Sequence, residues 1–344
     1  MPPETVVSDE VGEHAWDAYV QAHPDATADH VWRWRAMFRD VFGHESTYLA
    51  AVRGGDIVGT LPLVRFNSRL FGRFLSSVPF LNYGGLLVSD ADAGSALLAR
   101  ASDVARRFGA SHIEFRHVAR QLPELPCRQH KIGLRRALPD APSALWDSVD
   151  RKARNQVRKA QKEDLVAVAG GAELLDEFYA IFSRNMRDLG TPVYPKRLFA
   201  TTLRLFPQEA ECVVVRQKSV AMAASLTIRF RDTVIVPWAS SLREHRHLCP
   251  NMLLYWTMLE RAIASGARRF DFGRSSPDAG TLPFKRQWGA EEFPLHWEYV
   301  LLTRSDAPDH GPASPRFARA VRAWSHLPLW LTNTLGPAIV RNIP

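Results

Sequence analysis

The sequence has no apolar run long enough to cross a bilayer, no basic leader followed by an apolar stretch, and only three cysteines among its 344 residues. The first two absences argue against a spanning or exported chain. Cys127, Cys212 and Cys249 show neither CxxC nor other metal-ligand spacing, and an odd number suits a reducing cytoplasm better than a disulfide framework. His245, His247 and the more distant His296 are not spaced for a metal, so none is expected. No Ser/His/Asp or Cys/His constellation is evident, which argues against a covalent enzyme intermediate. Acids are missing from two stretches: 151–162, which holds six Lys and Arg, and 315–344, which holds four Arg.

What is present sets the outer bounds. A chain of this length with 46% hydrophobic residues can bury a large core and is long for one domain, so two are expected. The net charge of +8 implies an acidic partner such as nucleic acid, nucleotide phosphate, anionic glycan or membrane surface. Residues 1–9 lack a pattern and read as a frayed tail. Residues 16–22 and 31–42 read as helices, and 47–66 as a hairpin about Gly54-Gly55-Asp56, with Pro62 marking an edge or a bulge. Residues 70–80 read as an irregular connection. A helix over 93–108 and strands over 112–116 and 132–138 then complete a first α/β half, with Pro139 and Pro142 at its boundary.

Arg151, Lys152, Arg154, Arg158, Lys159 and Lys162 fall on a helix whose apolar seam is only Ala153, Val157 and Ala160. Such a run is either a solvated face or a grip for a diphosphate or RNA backbone. Its single sign favours the second, because a solubilising helix usually carries balancing acids at i, i+4. The second half continues with helices over 174–189 and 196–206 and strands over 211–216, 220–230 and 233–240. Met252, Tyr255, Trp256, Leu259, Ala262 and Ile263 then predict a helix from Pro250 to about residue 265. Residues 268–272 read as a strand ended by Gly273, and the loop 275–280 delivers a helical turn carrying Lys285. That lysine is either simply solvated or aimed over the end of a sheet, a common location for α/β ligand sites. In the tail, arginines accompany Trp324, Leu327, Leu329, Trp330, Leu331 and Ile339, which suits either docking on the body or contact with an anionic membrane.

The run Phe270-Asp271-Phe272-Gly273, a polar loop with glycine, then Phe284-Lys285 and Trp288-Gly289 resembles the closing signature of the FemAB family, the peptidoglycan bridge-forming aminoacyltransferases and their relatives. Lys152-Ala153-Arg154-Asn155-Gln156-Val157-Arg158-Lys159-Ala160 is similar to a basic helix of that family, and Gly190-Thr191-Pro192-Val193-Tyr194 lies between the two in the matching order. These matches spread over residues 151–299, and the branch they resemble most is associated with exosortase/PEP-CTERM and exopolysaccharide systems. The resemblance implies an α/β (α+β) chain of two tandem GNAT-like acyltransferase lobes with a cleft between them. The expected divisions are 1–140, 141–305 and a basic amphipathic tail over 306–344 docked on the body.

By the same resemblance Lys285 is the catalytic residue, opposing negative charge that develops on the donor. Tyr83 lines the acceptor cleft unless it simply packs at a strand start. Arg154, Arg158, Tyr194, Trp238 and Arg274 bind substrate, and Asn251 contacts the donor cofactor. No cofactor is expected to stay bound; the acyl donor is aminoacyl-tRNA or acyl-coenzyme A. A coenzyme A pyrophosphate usually sits in a glycine-rich loop before the long helix, whereas residues 243–251 contain no glycine and Pro250 removes a donor. The implied activity is transfer of an acyl or aminoacyl group to an amine of a phosphorylated or anionic cell-envelope or exopolysaccharide precursor, with tRNA but not DNA as a partner, in the cytoplasm at the inner face of the membrane. The alternatives are an acyl-coenzyme A-dependent N-acetyltransferase and a non-catalytic binding component of an exopolysaccharide assembly system.

Overall fold

A computed structural model describes residues 4–68, 71–277, 280–308 and 315–343. The chain divides into two compact units, 1–131 with 294–310 and 341–344, and 132–293 with 311–340. Each has its own sheet.

The first unit opens with β1 (Thr5–Ser8) and α1 (Glu13–Ala22), followed by a short helix α2 (Trp34–Met37) that runs into a π-helical turn at Phe38–Phe42. Then come β2 (Ser46–Arg53), β3 (Asp56–Ser68), β4 (Gly72–Ser76), β5 (Leu87–Val88), α3 (Ala91–Phe108), β6 (His112–His117) and β7 (Cys127–Arg128). The second unit contains β8 (Ile132–Ala137), α4 (Pro142–Ser148), α5 (Arg151–Lys162), β9 (Val166–Gly170), α6 (Leu175–Asp188) and α7 (Lys196–Leu205). It continues through β10 (Ala210–Gln217), β11 (Val220–Phe230), β12 (Thr233–Ser241), α8 (Pro250–Ala264), β13 (Arg269–Ser275), α9 (Leu282–Arg286) and β14 (Glu291–Pro294). β15 (His296–Leu301) returns to the first sheet, while α10 (Pro315–Trp324) and α11 (Leu329–Val340) belong with the second unit.

The strand orders are β1-β2-β3-β4-β6-β15-β7, with β5 also on β3, and β14-β8-β13-β12-β11-β10-β9. They correct the expected divisions in two places. The strand over 132–137 does not complete the first half: it pairs antiparallel with β13, and Leu134 is buried among Phe270, Trp288 and Leu259. In its stead β15 pairs with β6 along His296–Leu301. Of the tail, α10 and α11 group with the second unit, α11 packing on α6, and residues 341–343 group with the first unit, where the Arg341 carbonyl meets His44 Nε2 at 2.8 Å. Residues 309–314 of that tail lie outside the described residues. Pairing between strands distant in sequence has no local signature, which is why these two assignments escape periodicity.

Smaller departures have local causes. Residues 5–8 are held as an edge strand by β2 rather than frayed. Residues 72–76 form β4, paired with β3 and β6, where an irregular connection was expected; Leu70 of that stretch lies outside the described residues. Pro62 sits in the interior strand β3, at a point between the segments paired with β5 and with β4, so the missing N–H costs no ladder bond on that side.

Helix α8 is apolar nearly all round because it is covered on both sides, by β10–β12 and by α4 and α5. α5 contributes its narrow seam of Ala153, Val157 and Ala160, all buried, and its first turn is capped by Asp150, which accepts the Lys152 N–H at 2.6 Å. Because Leu134 fills this core and not that of the first unit, Leu134→Ala should cost about 2–5 kcal/mol of stability by urea unfolding. A loss below 1 kcal/mol would mean that β8 does not belong to the second core.

Candidate active site

The two parallel strands β12 and β13 pair only over Thr233–Ile235 and Arg269–Asp271. Beyond that point β12 stays with β11, and β13 leans on β8 through a register shift between Asp271 and Arg274. Gly273 makes the shift possible: at φ 69° it occupies left-handed space that a side chain disfavours. The strand therefore bulges at Gly273, where the sequence suggested that it ends. Asp271 pins the bulge, since its Oδ1 accepts the Gly273 N–H at 2.8 Å and its Oδ2 accepts Arg135 Nε at 2.7 Å.

Lys285 lies under this distortion. It is 7% exposed, and its Nζ donates to the carbonyls of Arg274 at 3.2 Å and Gly273 at 3.4 Å. Phe284 and Trp288 on either side of it pack against Tyr255 of α8, at ring-centroid distances of 4.8 and 6.3 Å. Gln287 reaches Met252 in the first turn of α8. Burial pushes the lysine down to about 8, with the Asp271 carboxylate opposing the fall. An ammonium has three protons, and two of them are taken by carbonyls. No acceptor for the third is found among the described residues. The loop that precedes α9 includes Asp278 and Ala279, which lie outside the described residues.

Asn251 opens α8 beside this cluster, and Arg274 contributes its carbonyl to Lys285. Lys285, Arg274 and Asn251 are thus carried by neighbouring elements of one unit. Tyr194 and Trp238 belong to a different cluster built on α6 and α7: Phe199 meets Trp238 edge-on at 5.2 Å and Phe182 at 5.0 Å, and Phe182 lies 6.4 Å from Tyr194. Trp238 is buried and Tyr194 half-buried.

On α5, Arg158 is exposed and lies over the Trp146 ring, its Cζ 5.2 Å from the centroid. Arg154 is half-buried, and its Nε is enclosed with no hydrogen-bond partner among the described residues. A shallow groove of about 560 Å³ runs along the same helix past Arg151, Lys152, Asn155 and Lys159.

Tyr83 lies in the first unit and is 1% exposed. Its N–H and that of Asn82 donate to Asp29 Oδ2 at 2.7 and 3.1 Å. The adjoining glycine, Gly85 at φ 101°, allows the backbone to approach His117, whose ring would stand 2.1 Å from an added Cβ. His117 accepts the Leu86 N–H at Nε2 and so donates from Nδ1 to Glu298 Oε2 at 2.7 Å. Here the backbone's close neighbour is a histidine of the protein's own core.

Sequence reasoning missed Arg135, whose ion pair with Asp271 fixes the bulge over Lys285. The signal available was the alternation of Leu134 with Arg135 in a strand, and it carried no hint of the partner.

Comparison with known proteins follows from this geometry. Residues 147–286 match the family model described as the acetyltransferase (GNAT) domain. The structure is similar to that of FemX, with TM-score 0.70 and 16% identity over 87% of this chain and 98% of that one. Residues 147–286 thus match a GNAT acetyltransferase domain, and the chain as a whole shares the fold of FemX. The transferase is also similar to L-PGS from Bacillus licheniformis, at TM-score 0.56 and 9% identity over 92% of this chain and 100% of that one. A tandem GNAT protein from the clavulanic acid biosynthesis pathway gives TM-score 0.52 and 14% identity over 88% and 99%. No curated protein sequence matches the transferase. Among its described residues no helix is long and apolar enough to cross a membrane, and no group of His, Cys, Asp and Glu is placed to hold a metal ion.

The depressed lysine has a stability signature with a definite sign. The unfolded lysine keeps its proton up to its ordinary 10.5, whereas the folded one releases it near 8. Between those values the unfolded state binds more protons, so stability relative to Lys285→Met should rise as pH climbs from about 8 toward 10.5. Melting curves of the two proteins across that range test this; a constant difference between them would show that the lysine titrates normally.

Proposed function

We propose that the transferase moves an acyl or aminoacyl group directly from an activated ester or thioester to an amine of an anionic cell-envelope or exopolysaccharide precursor. The observation that carries this reading is the buried Lys285 ammonium, held by two strand carbonyls with one N–H to spare. In such a transfer the amine lone pair attacks the carbonyl carbon, the C–N bond forms, and the C=O electrons move onto oxygen. The intermediate then collapses, the C–O or C–S bond to the donor breaks with its electron pair leaving on the donor, and the amine loses a proton. A pre-positioned cation in a site of low dielectric stabilises the oxyanion or the departing group without reorganising. Strand β12 offers the second element: beyond Ile235 its β13-facing edge is no longer paired with β13, which suits an extended, amide-bearing donor or acceptor laid along it.

The likenesses to FemX and L-PGS favour an aminoacyl group and an envelope acceptor. A second reading, acyl-coenzyme A as donor, is favoured by the match of residues 147–286 to an acetyltransferase domain. The pre-helix segment Arg243–Leu248 argues the other way: it is a 3-10 helix without glycine, followed by Pro250 at the first position of α8.

Incubation of the protein with charged tRNA or acyl-coenzyme A and amine-bearing precursors, read by product mass, tests both readings. Lys285→Ala should lower turnover about a hundred- to a thousand-fold, the effect of losing one oxyanion donor, while the protein stays folded. Wild-type turnover in that variant would remove the lysine from the chemistry. Tight stoichiometric binding of acyl-coenzyme A in calorimetry would decide for the thioester donor.

The basic face of α5 supplies the proposed contact with phosphate. Arg154→Ala together with Arg158→Ala should weaken binding of a phosphorylated precursor and flatten its salt dependence, since exposed charges are screened over about 10 Å at 0.1 M. Lysine at both positions keeps the charge but not the forked contact, so partial loss there identifies a bidentate site. Undiminished binding by the double alanine variant would leave α5 as a solvated face.

A further inference from the structure

Helices α10 and α11 carry a surface that acyl transfer does not explain. α11 docks through Thr332, Gly336 and Val340, an i, i+4, i+8 row that is buried, and Gly336 fits so closely that an added Cβ would stand 2.9 Å from Val193. α10 docks in the same way three residues earlier along the supporting loop, where a Cβ on Gly190 would meet the Val321 carbonyl. The turn between the helices is tied down by Arg187, whose Nη1 donates to the Leu327 carbonyl at 3.2 Å. Because both helices rest on residues 190–193, their opposite faces turn outward together.

Those outward faces are inverted for a helix in water. The small residues of α11 are inside, while Trp330 is 70% exposed and Leu335 42% exposed, with Leu189 of the supporting loop 50% exposed. A helix that met only water would put its largest apolar side chains against the protein. The charged groups that accompany this apolar surface are of one sign. Arg319 and Arg322 on α10 are exposed with no ion-pair partner among the described residues, and residues 311–344 contain four arginines and no Asp or Glu.

We infer that α10 and α11 form a pre-folded contact with the surface of an anionic lipid bilayer, with Trp330 and Leu335 entering the headgroup–acyl boundary and Arg319 and Arg322 meeting lipid phosphates. Tryptophan beside leucine, flanked by arginine and free of acids, is the composition that binds at such a boundary. A protein surface as partner would require only the apolar part, and a nucleic acid only the arginines; the bilayer uses both. With few basic groups and two large apolar side chains the attachment is peripheral and reversible. It is independent of the identity of the donor and acceptor.

The test is co-sedimentation of the full chain with phosphatidylcholine vesicles, with and without phosphatidylglycerol. Binding is expected only to the anionic vesicles and is expected to fall with added salt. Trp330→Ser should abolish it, and Leu335→Ser should weaken it, both without lowering the melting temperature. Arg319→Ala with Arg322→Ala should weaken it roughly thirty-fold at low salt, from about 1 kcal/mol for each arginine at a bilayer surface and 1.4 kcal/mol per tenfold change. Vesicle binding that survives Trp330→Ser, or that is equal on neutral lipid, overturns the inference. So does a change of oligomeric state in Trp330→Ser without vesicle binding by the wild type, which would assign the face to a second copy of the chain. Binding of a short RNA that Arg319 and Arg322 govern while vesicles are ignored overturns it equally.

Discussion

The second unit depends on a buried cation held beneath a strand that has been forced out of register. Gly273 supplies the conformation, Asp271 locks it from one side with Arg135 behind it, and the two carbonyls turned toward Lys285 receive its ammonium. Each part is costly alone: a left-handed residue inside a strand, a buried carboxylate, a buried ammonium. Together they reduce one another's costs, because the bulge provides acceptors for the lysine and the aspartate provides a field that opposes its desolvation in part. A cluster assembled this way is pre-organised, as the role proposed for Lys285 in stabilising a reacting group requires.

The same packing explains why α8 is the pivot of the unit. It is sandwiched between the sheet and helices α4 and α5, so its first turns are fixed relative to β13 and α9 through Tyr255, Phe272, Phe284 and Trp288. The aromatic residues that spell the closing motif are therefore the mortar that positions the lysine. Basic residues of α5 share this scaffold through Ala153 and Val157, which explains how a helix with so narrow an apolar seam is held at all.

Much of this was legible in the sequence where the pattern is local. The antiparallel run β10-β11-β12, the helix α8 and the lysine-bearing turn all follow from periodicity, proline and glycine placement. What periodicity cannot carry is partnership. β8 alternates like any strand, and nothing in Ile132–Ala137 tells that its neighbour is Arg269–Ser275, 136 residues from Arg135 to Asp271. Buried charges are equally illegible: the side chains of Glu114 and Arg116 are 1% and 0% exposed and joined by a 2.8 Å bond, with Arg116 lying 4.4 Å from the centre of the Trp297 ring. Their burial is comprehensible only once β15 is beside them. The resemblance to FemAB proteins located the lysine; the structure supplied the reason that a lysine there is unusual.

The return of β15 to the first sheet has a consequence for how the chain comes to be folded in a cell. β6 receives its neighbour from residues 296–301, and Glu298 of that strand completes the buried bond to His117, 181 residues away. During synthesis the N-terminal sheet thus waits, with one flank of β6 open, until residues 296–301 have been made, while the strands β8 to β13 of the later unit already have all their partners among themselves apart from β14. A strand edge left open for that long is a template for wrong pairings, and truncation anywhere before residue 296 removes a structural member of the N-terminal sheet.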